Sequence, residues 1–107
     1  MEDKKEILPI GSVVMLKFGK KKVMITGYSQ IDLEKKDKMY DYCGCLYPEG
    51  MMDDTKLLFN REDIKEIYFE GYRDEYQKVF ATNITFFIDN INKDLLIKRM
   101  KEEKKWK

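Results

Sequence analysis

Cys43 and Cys45 are the residues whose type and spacing could most readily support redox or metal chemistry. They lie in a stretch that predicts a β-strand, where residues two apart point in parallel, a poor geometry for a disulfide. The chain has no histidine, and two thiols are too few ligands for a zinc site. We therefore expect reduced, buried structural cysteines, as is typical of a cytoplasmic protein.

The remaining polar residues do not form a recognisable catalytic set. Without histidine, a serine or cysteine triad of the usual kind is excluded. The run from Phe18 to Lys22 has the wrong spacing for a phosphate-binding loop. Asp53 and Asp54 could bind a divalent ion, but paired acids in a loop are usually solvated. We predict that the protein is not an enzyme and needs no cofactor or metal.

A basic segment with nearby aromatic residues suggests a different function. Lys17 and Lys20–Lys22, together with Phe18 and Tyr28, would suit a small RNA-binding barrel. The formal charge of the whole chain is only +1, however, so the first criterion for nucleic-acid binding is not met. Nucleic-acid binding is a further alternative, and an affinity that falls steeply with salt would identify it.

Charge is distributed unevenly along the chain. Nine acidic residues stand against four basic ones between Glu49 and Glu75, whereas six basic residues stand against two acidic ones between Lys98 and Lys107. A solvated surface, followed by a basic helix end that the helix dipole favours, accounts for both.

The apolar residues predict five strands in a single domain that spans residues 1–107. The strands are expected at Val13–Lys17, Lys22–Gln30, Tyr40–Tyr47, Lys56–Phe59 and Lys65–Glu70. Gly27 suggests a bulge in the second strand, and Asn60 can cap one helical turn before the fifth. The third strand carries apolar bulk on both faces, so we expect it to be central and covered on each side. Residues 1–7 are expected to be frayed, and 31–39 to form a loop.

This order of elements indicates an α+β fold: a small antiparallel five-stranded SH3-like barrel over residues 8–72, followed by a long C-terminal helix over 73–104. A half-open, twisted sheet is the alternative to the barrel. The first twelve residues lack the apolar stretch of a signal peptide, and no apolar run approaches the ~20 residues of a membrane span. We therefore expect a cytoplasmic protein that does not contact a membrane.

Beyond Tyr72 the apolar residues follow a helical period, which predicts a helix from about Asp74 to about Glu103. Thr82–Thr85 weakens its middle, so two helices are an alternative. A helix of ~30 residues would be ~45 Å long, more than a small barrel can cover. Either part of its apolar surface is free for a partner, or the helix folds wholly onto its own barrel. The main apolar stripe comprises Tyr76, Phe80, Ile84, Phe87, Ile91 and Leu95, widened by Val79 and Ile88, with Phe86 and Ile97 off it.

Four segments carry a resemblance to a known family: Leu8–Val14 (LPIGSVV), Tyr40–Gly50 (YDYCGCLYPEG), Phe59–Ile64 (FNREDI) and Phe69–Tyr72 (FEGY). Over about Leu8 to Phe80, the chain resembles a small domain-of-unknown-function family of Gram-positive bacteria. Genes of that family lie beside those for LXG-domain toxins and the type VIIb secretion system.

The resemblance implies a cytoplasmic chaperone or adaptor that holds an LXG toxin, or another secretion-system protein, before export. It brings no catalytic residues. A tyrosine ring is apolar while its hydroxyl seeks a polar partner, so we expect Tyr42, Tyr47 and Tyr72 to be partly buried and partly exposed. Together with Phe86 and Ile97 on the outer face of the helix, they are the candidate protein-binding residues. A self-associating structural module, forming a homodimer through the C-terminal helices, is the alternative.

Overall fold

The computed structural model describes residues 6–32, 38–53, 56–91, 98–99 and 101–102. Five strands precede one helix, which confirms the α+β class. A 3-10 turn at Arg61–Asp63 separates the last two strands, where one helical turn was predicted. The elements are β1 (Val13–Leu16), β2 (Lys22–Asp32), β3 (Lys38–Leu46), β4 (Leu57–Phe59), β5 (Ile64–Phe69) and α1 (Glu75–Asn90).

The strands form one antiparallel sheet in the order β4-β3-β2-β1-β5. Strands β1 to β4 follow one another as neighbours, and β5 returns to pair with β1, which explains why the element order suggested an SH3-like barrel. Within the described ranges, β4 and β5 are the two edges and do not pair with each other. The open sheet is therefore the alternative that the structure adopts.

Both faces of β3 are buried, as predicted. Tyr42 on one face has no exposed surface, and its ring packs against that of Phe59 with centroids 5.3 Å apart. On the other face Asp41, Cys43 and Cys45 are buried, and both cysteines are free thiols. The core around Tyr42 consists of Ile7, Leu8, Val14, Leu16, Val23, Ile25, Met39, Tyr42, Phe59 and Ile88.

The hairpin between β2 and β3 is longer than predicted. The expected bulge at Gly27 is confirmed, because the pairing register shifts between Ile25 and Gly27. Pairing then continues beyond the expected strand end, since Ile31 lies opposite Met39. Met39 is buried in the core and Ile31 packs against it. This apolar pair extends both strands into the segment predicted to be a loop, of which residues 33–37 lie outside the described ranges.

The segment before β1 is held in place, so the expectation that residues 1–7 are frayed is wrong for Ile7. Ile7 is buried in the core. The backbone N–H of Leu8 donates to the Tyr42 hydroxyl at 3.0 Å, and its carbonyl accepts from the Tyr28 hydroxyl at 2.6 Å. Residues 1–5 lie outside the described ranges.

Helix α1 ends at Asn90, so the continuous helix expected to reach Glu103 is wrong. Ile91 has extended backbone angles (φ −75°, ψ 146°), and its side chain packs against the core. The break is not at Thr82–Thr85, because tertiary hydrogen bonds support that segment. Residues 98–99 and 101–102 are helical, whereas Leu95, Ile97 and Glu103 lie outside the described residues.

Candidate protein-binding surface

Helix α1 is fixed to the sheet along one side. It begins at Asp74, whose carboxylate accepts a hydrogen bond from the backbone N–H of Gln77 at 2.9 Å. Ala81 and Ile88 are buried, and Ile84 packs partly buried against the core. These positions recur every three or four residues and therefore form one face of the helix. Contacts along this inner face set the orientation of the opposite face.

Two hydrogen bonds join the middle of α1 to the N-terminal segment. The Thr85 hydroxyl accepts from the backbone N–H of Ile7, and the Thr82 hydroxyl donates to the Glu6 carboxylate, both at 3.0 Å. They give these β-branched residues favourable partners. They also explain why the helix passes through a segment of poor helix propensity without a break.

An ion-pair network fixes the C-terminal half of α1. The Asp41 carboxylate on β3 accepts from both the backbone N–H and the Nε of Arg61, each at 2.9 Å. Nη2 of Arg61 donates to the Asp89 carboxylate of α1 at 2.6 Å. Burial of the guanidinium acts to lower the pKa of Arg61, but its hydrogen bonds to Asp89 and Asp41 outweigh that effect and raise the pKa. Arg61 therefore stays charged and links β3 to the helix.

The opposite face of α1 carries five large apolar side chains that are each about half exposed or more. Its backbone is regular from Glu75 to Asn90, so residues spaced three, four or seven apart share a face. The exposed fraction reaches 88% at Tyr76. We call this surface the aromatic face; it consists of Tyr76, Val79, Phe80, Phe86 and Phe87.

The aromatic face includes residues that the sequence grouped with the inner stripe. Tyr76 and Phe87 lie on the side away from the core, whereas Ile84 and Ile88 point towards it. Phe80 is half exposed at the border of the two sides, and its ring packs against that of Tyr28 with centroids 5.7 Å apart. Apolar residues of α1 occupy much of its circumference, so the helical period alone could not identify the side that packs against the core. The signal that sequence reasoning missed is Ala81, a small apolar residue that is buried on the inner face.

The structure separates the five predicted binding residues. Tyr47 is 44% exposed after the end of β3, Tyr72 is 79% exposed before α1, and Phe86 is 69% exposed on the aromatic face. The expectation that Tyr42 is partly exposed is wrong, because it is fully buried with its hydroxyl bonded to Leu8. Ile97 lies outside the described residues. Of the four that the structure describes, Phe86 alone belongs to the aromatic face.

The buried hydroxyl of Tyr42 leads to a prediction about alkaline pH. Burial in the core raises the pKa of Tyr42 to about 12 from 10.0, although the hydrogen bond from Leu8 acts in the opposite direction. A phenol whose pKa is higher in the folded state stabilises the fold below pH 10.0, and this contribution is lost between pH 10.0 and about 12. The loss should reach about 3 kcal/mol at the upper end.

This prediction can be checked by measuring the free energy of unfolding from pH 9 to 12 by denaturant titration, at about half-unit steps. Tyr42→Phe should lower stability at neutral pH and should also flatten the alkaline decline. An unchanged decline in Tyr42→Phe would show that other groups cause it.

Only some of the residues that suggested nucleic-acid binding lie together on the surface. Lys17, Phe18, Lys20 and Lys21 are exposed around the β1–β2 hairpin. Lys21 pairs with Glu49, and Nζ of Lys22 lies 4.8 Å from the centroid of the Tyr68 ring. Tyr28, the second aromatic residue of the proposed patch, instead bonds to Leu8 in the interior.

The edge strand β5 is a second exposed apolar region, with Ile67, Tyr68 and Phe69 all exposed. Its pairing with β1 shifts register twice, between Val13 and Val14 and between Met15 and Leu16. Bulges of this kind twist an edge strand away from regular pairing. The addition of a further strand to β5 is therefore disfavoured.

The described ranges contain no cluster of three or more cysteine, aspartate or glutamate side chains that could hold a metal ion. Nor does any helix in those ranges have the length and apolar character needed to cross a membrane.

Comparison with known families gives one match. A family model described as a domain of unknown function, DUF4176, matches residues 7–80. This range agrees, to within one residue at its start, with the range of the motif resemblance. Tyr76, Val79 and Phe80 lie inside it, and Phe86 and Phe87 lie beyond it. No curated protein and no solved structure matches the chain.

Proposed function

The chain belongs to the DUF4176 family, a domain of unknown function, and we propose that it is a protein-binding adaptor or chaperone for an LXG-type toxin. The protein-binding part of this proposal rests on the aromatic face of α1. The toxin client, the type VII secretion context and the cytoplasmic location come from the motif resemblance. In this proposal the protein holds its client before export.

The chemistry of the aromatic face suits a protein partner. Contiguous exposed apolar surface marks interaction sites, and aromatic side chains are over-represented among residues that dominate binding energy. Four of the five side chains are aromatic, and none is charged. A partner with an apolar surface would remove them from water, which is favourable by about 25 cal/mol per Å² of buried apolar area.

The helix that bears this face is already ordered. Arg61 ties it to β3 through Asp89 and Asp41, and Thr85 ties it to Ile7. A surface that is rigid before binding loses less conformational entropy on association. This favours specific recognition of a client by α1.

The test is co-expression with the LXG-domain protein encoded beside it, followed by co-purification and mass determination of the complex. Phe86→Ala should weaken binding by about 30-fold or more, which corresponds to roughly 2 kcal/mol for a central aromatic contact. Phe18→Ala is the matched control, because Phe18 is 71% exposed but lies on the β1–β2 hairpin. The control should bind like the wild type.

Two results would contradict the proposal. If the folded protein forms no complex with the LXG-domain protein, that toxin is not its client. Equal binding by the Phe86 and Phe18 variants would show that the client does not use the aromatic face.

A further inference from the structure

We infer that Phe80 is the anchor through which the aromatic face holds its client, and that Tyr28 on β2 is the positioning residue of Phe80. The inference deepens the proposed function and rests on it, because it identifies the part of the aromatic face on which binding depends most. It is supported by the ring contact of Phe80, by the fixed position of Tyr28 and by the extent of the family domain.

Phe80 is held from one side by a second aromatic ring. Its ring centroid lies 5.7 Å from that of Tyr28, and the two planes are inclined by 39°. Favourable aromatic pairs have centroids about 4.5–7 Å apart. Within the described ranges, no comparable ring contact involves Tyr76, Phe86 or Phe87. Phe80 is therefore the aromatic side chain of this face that is both half exposed and packed against another ring.

Tyr28 is itself fixed to the interior. Its hydroxyl donates a hydrogen bond to the backbone carbonyl of Leu8 at 2.6 Å. Its ring lies 6.1 Å from that of the fully buried Tyr42, which packs in turn against Phe59. Four aromatic rings thus form a continuous series from the core to Phe80.

A side chain that is ordered before binding makes a better anchor than a mobile one, because it loses less conformational entropy on association. Residues that dominate binding energy are also well packed and surrounded by neighbours that exclude water. Tyr76 lies four residues before Phe80, and Phe87 lies seven residues after it. At these spacings the three side chains follow one side of the helix, so Phe80 has an apolar neighbour in each direction along the axis.

The extent of the family domain favours Phe80 over Phe86. The family model matches residues 7–80, which include Tyr28 and Phe80, whereas Phe86 and Phe87 lie beyond the match. A binding function that belongs to this domain requires an anchor inside it. The N-terminal half of the aromatic face is the part that meets this requirement.

The arrangement fits a client surface with an apolar pocket for one phenyl ring. The Phe80 side chain has no polar atom, and half of it is open to solvent. At the rim, the 88% exposed Tyr76 offers a hydroxyl that can donate and accept hydrogen bonds.

A double-mutant cycle on binding of the LXG-domain client tests the coupling between the two residues. Phe80→Ala should weaken binding about 100-fold, more than Phe86→Ala, and Tyr28→Leu about 10-fold. In the Phe80→Ala background, Tyr28→Leu should have no further effect, because Tyr28 acts on the client through the Phe80 ring. Tyr28→Phe keeps the ring contact and should restore most of the binding that Tyr28→Leu loses. Additive effects of the two substitutions would overturn the positioning role.

NMR relaxation of the aromatic side chains tests the same role on the chain alone. In the wild type, the Phe80 ring should be more ordered on the picosecond-to-nanosecond timescale than the Phe86 ring. In Tyr28→Leu this difference should disappear. Equal mobility of the two rings in the wild type would overturn the positioning role, and this comparison needs no variant to fold.

The two experiments separate this inference from the proposed function. If the wild type forms no client complex, the proposed function fails and the anchor role of Phe80 fails with it, while the relaxation measurement still decides whether Tyr28 positions Phe80. If a complex forms but Phe80→Ala binds no more weakly than Phe86→Ala, the proposed function stands and Phe80 is not the anchor.

Discussion

Arg61→Ala is expected to lower the free energy of unfolding by about 3 kcal/mol, the lower end of the range for removing one partner of a buried ion pair. The Arg61 side chain is 11% exposed, and it bonds to the buried Asp41 on β3 and to Asp89 on α1. Truncation removes the Nε donor and leaves the buried Asp41 carboxylate with the hydrogen bond from the backbone N–H of Arg61. It also removes the link between the sheet and the C-terminal half of α1.

Arg73→Ala provides the matched control. Arg73 also pairs with an acidic residue, Glu70, but both side chains are well exposed. Exposed pairs of this kind contribute about 0–1 kcal/mol. Urea titration of both variants measures the difference. Equal stability of the two variants would show that the Arg61 network is not a major contribution to the fold.

Gly71→Ala is expected to destabilise the fold by about 3 kcal/mol, the upper part of the range for overpacking in a tightly packed site. A Cβ at this position would overlap the carbonyl oxygen of Ile10 and approach Pro9. Ile10 and Pro9 both belong to the turn that precedes β1. The backbone N–H of Gly71 also donates to the buried Ser12 hydroxyl at 2.9 Å, so the chain cannot move away without losing that bond.

Gly19→Ala is the corresponding control on the β1–β2 hairpin. A Cβ there would be 3.7 Å from its nearest neighbour, the Cβ of Leu16, which is an ordinary contact. Its effect should be smaller than about 1 kcal/mol in either direction. Thermal unfolding of the two variants distinguishes them. A Gly71 variant as stable as the Gly19 variant would mean that the junction between β5 and α1 can widen at little cost.

The strands were predictable because their signals are local. Alternation of apolar residues and the bulge at Gly27 depend on residues close in sequence, and each is present in the structure. The close approach at Gly71 is not a local signal. Its partner, Ile10, is distant in sequence, so the contact itself depends on the assembled sheet.

The candidate surface was less predictable for the same reason. The sequence left open whether part of the apolar helix surface stays exposed or folds wholly onto the strands; in the structure Phe86 is exposed on the helix. The assignment of Tyr42 to that surface failed because its hydroxyl finds Leu8, a partner 34 positions away. The end of α1 at Asn90 likewise reflects the packing of Ile91 against the core rather than a local stop signal.

The sequence by itself determined the number and order of the strands, the presence of an apolar helix and the family. The tertiary structure decided which side of that helix is buried. Apolar residues occur around much of α1, so several docking orientations satisfy its period. Ala81, Thr85 and Asp89 select one of them through contacts with residues far away in the chain. The aromatic face is the side of the helix that this orientation leaves exposed to solvent.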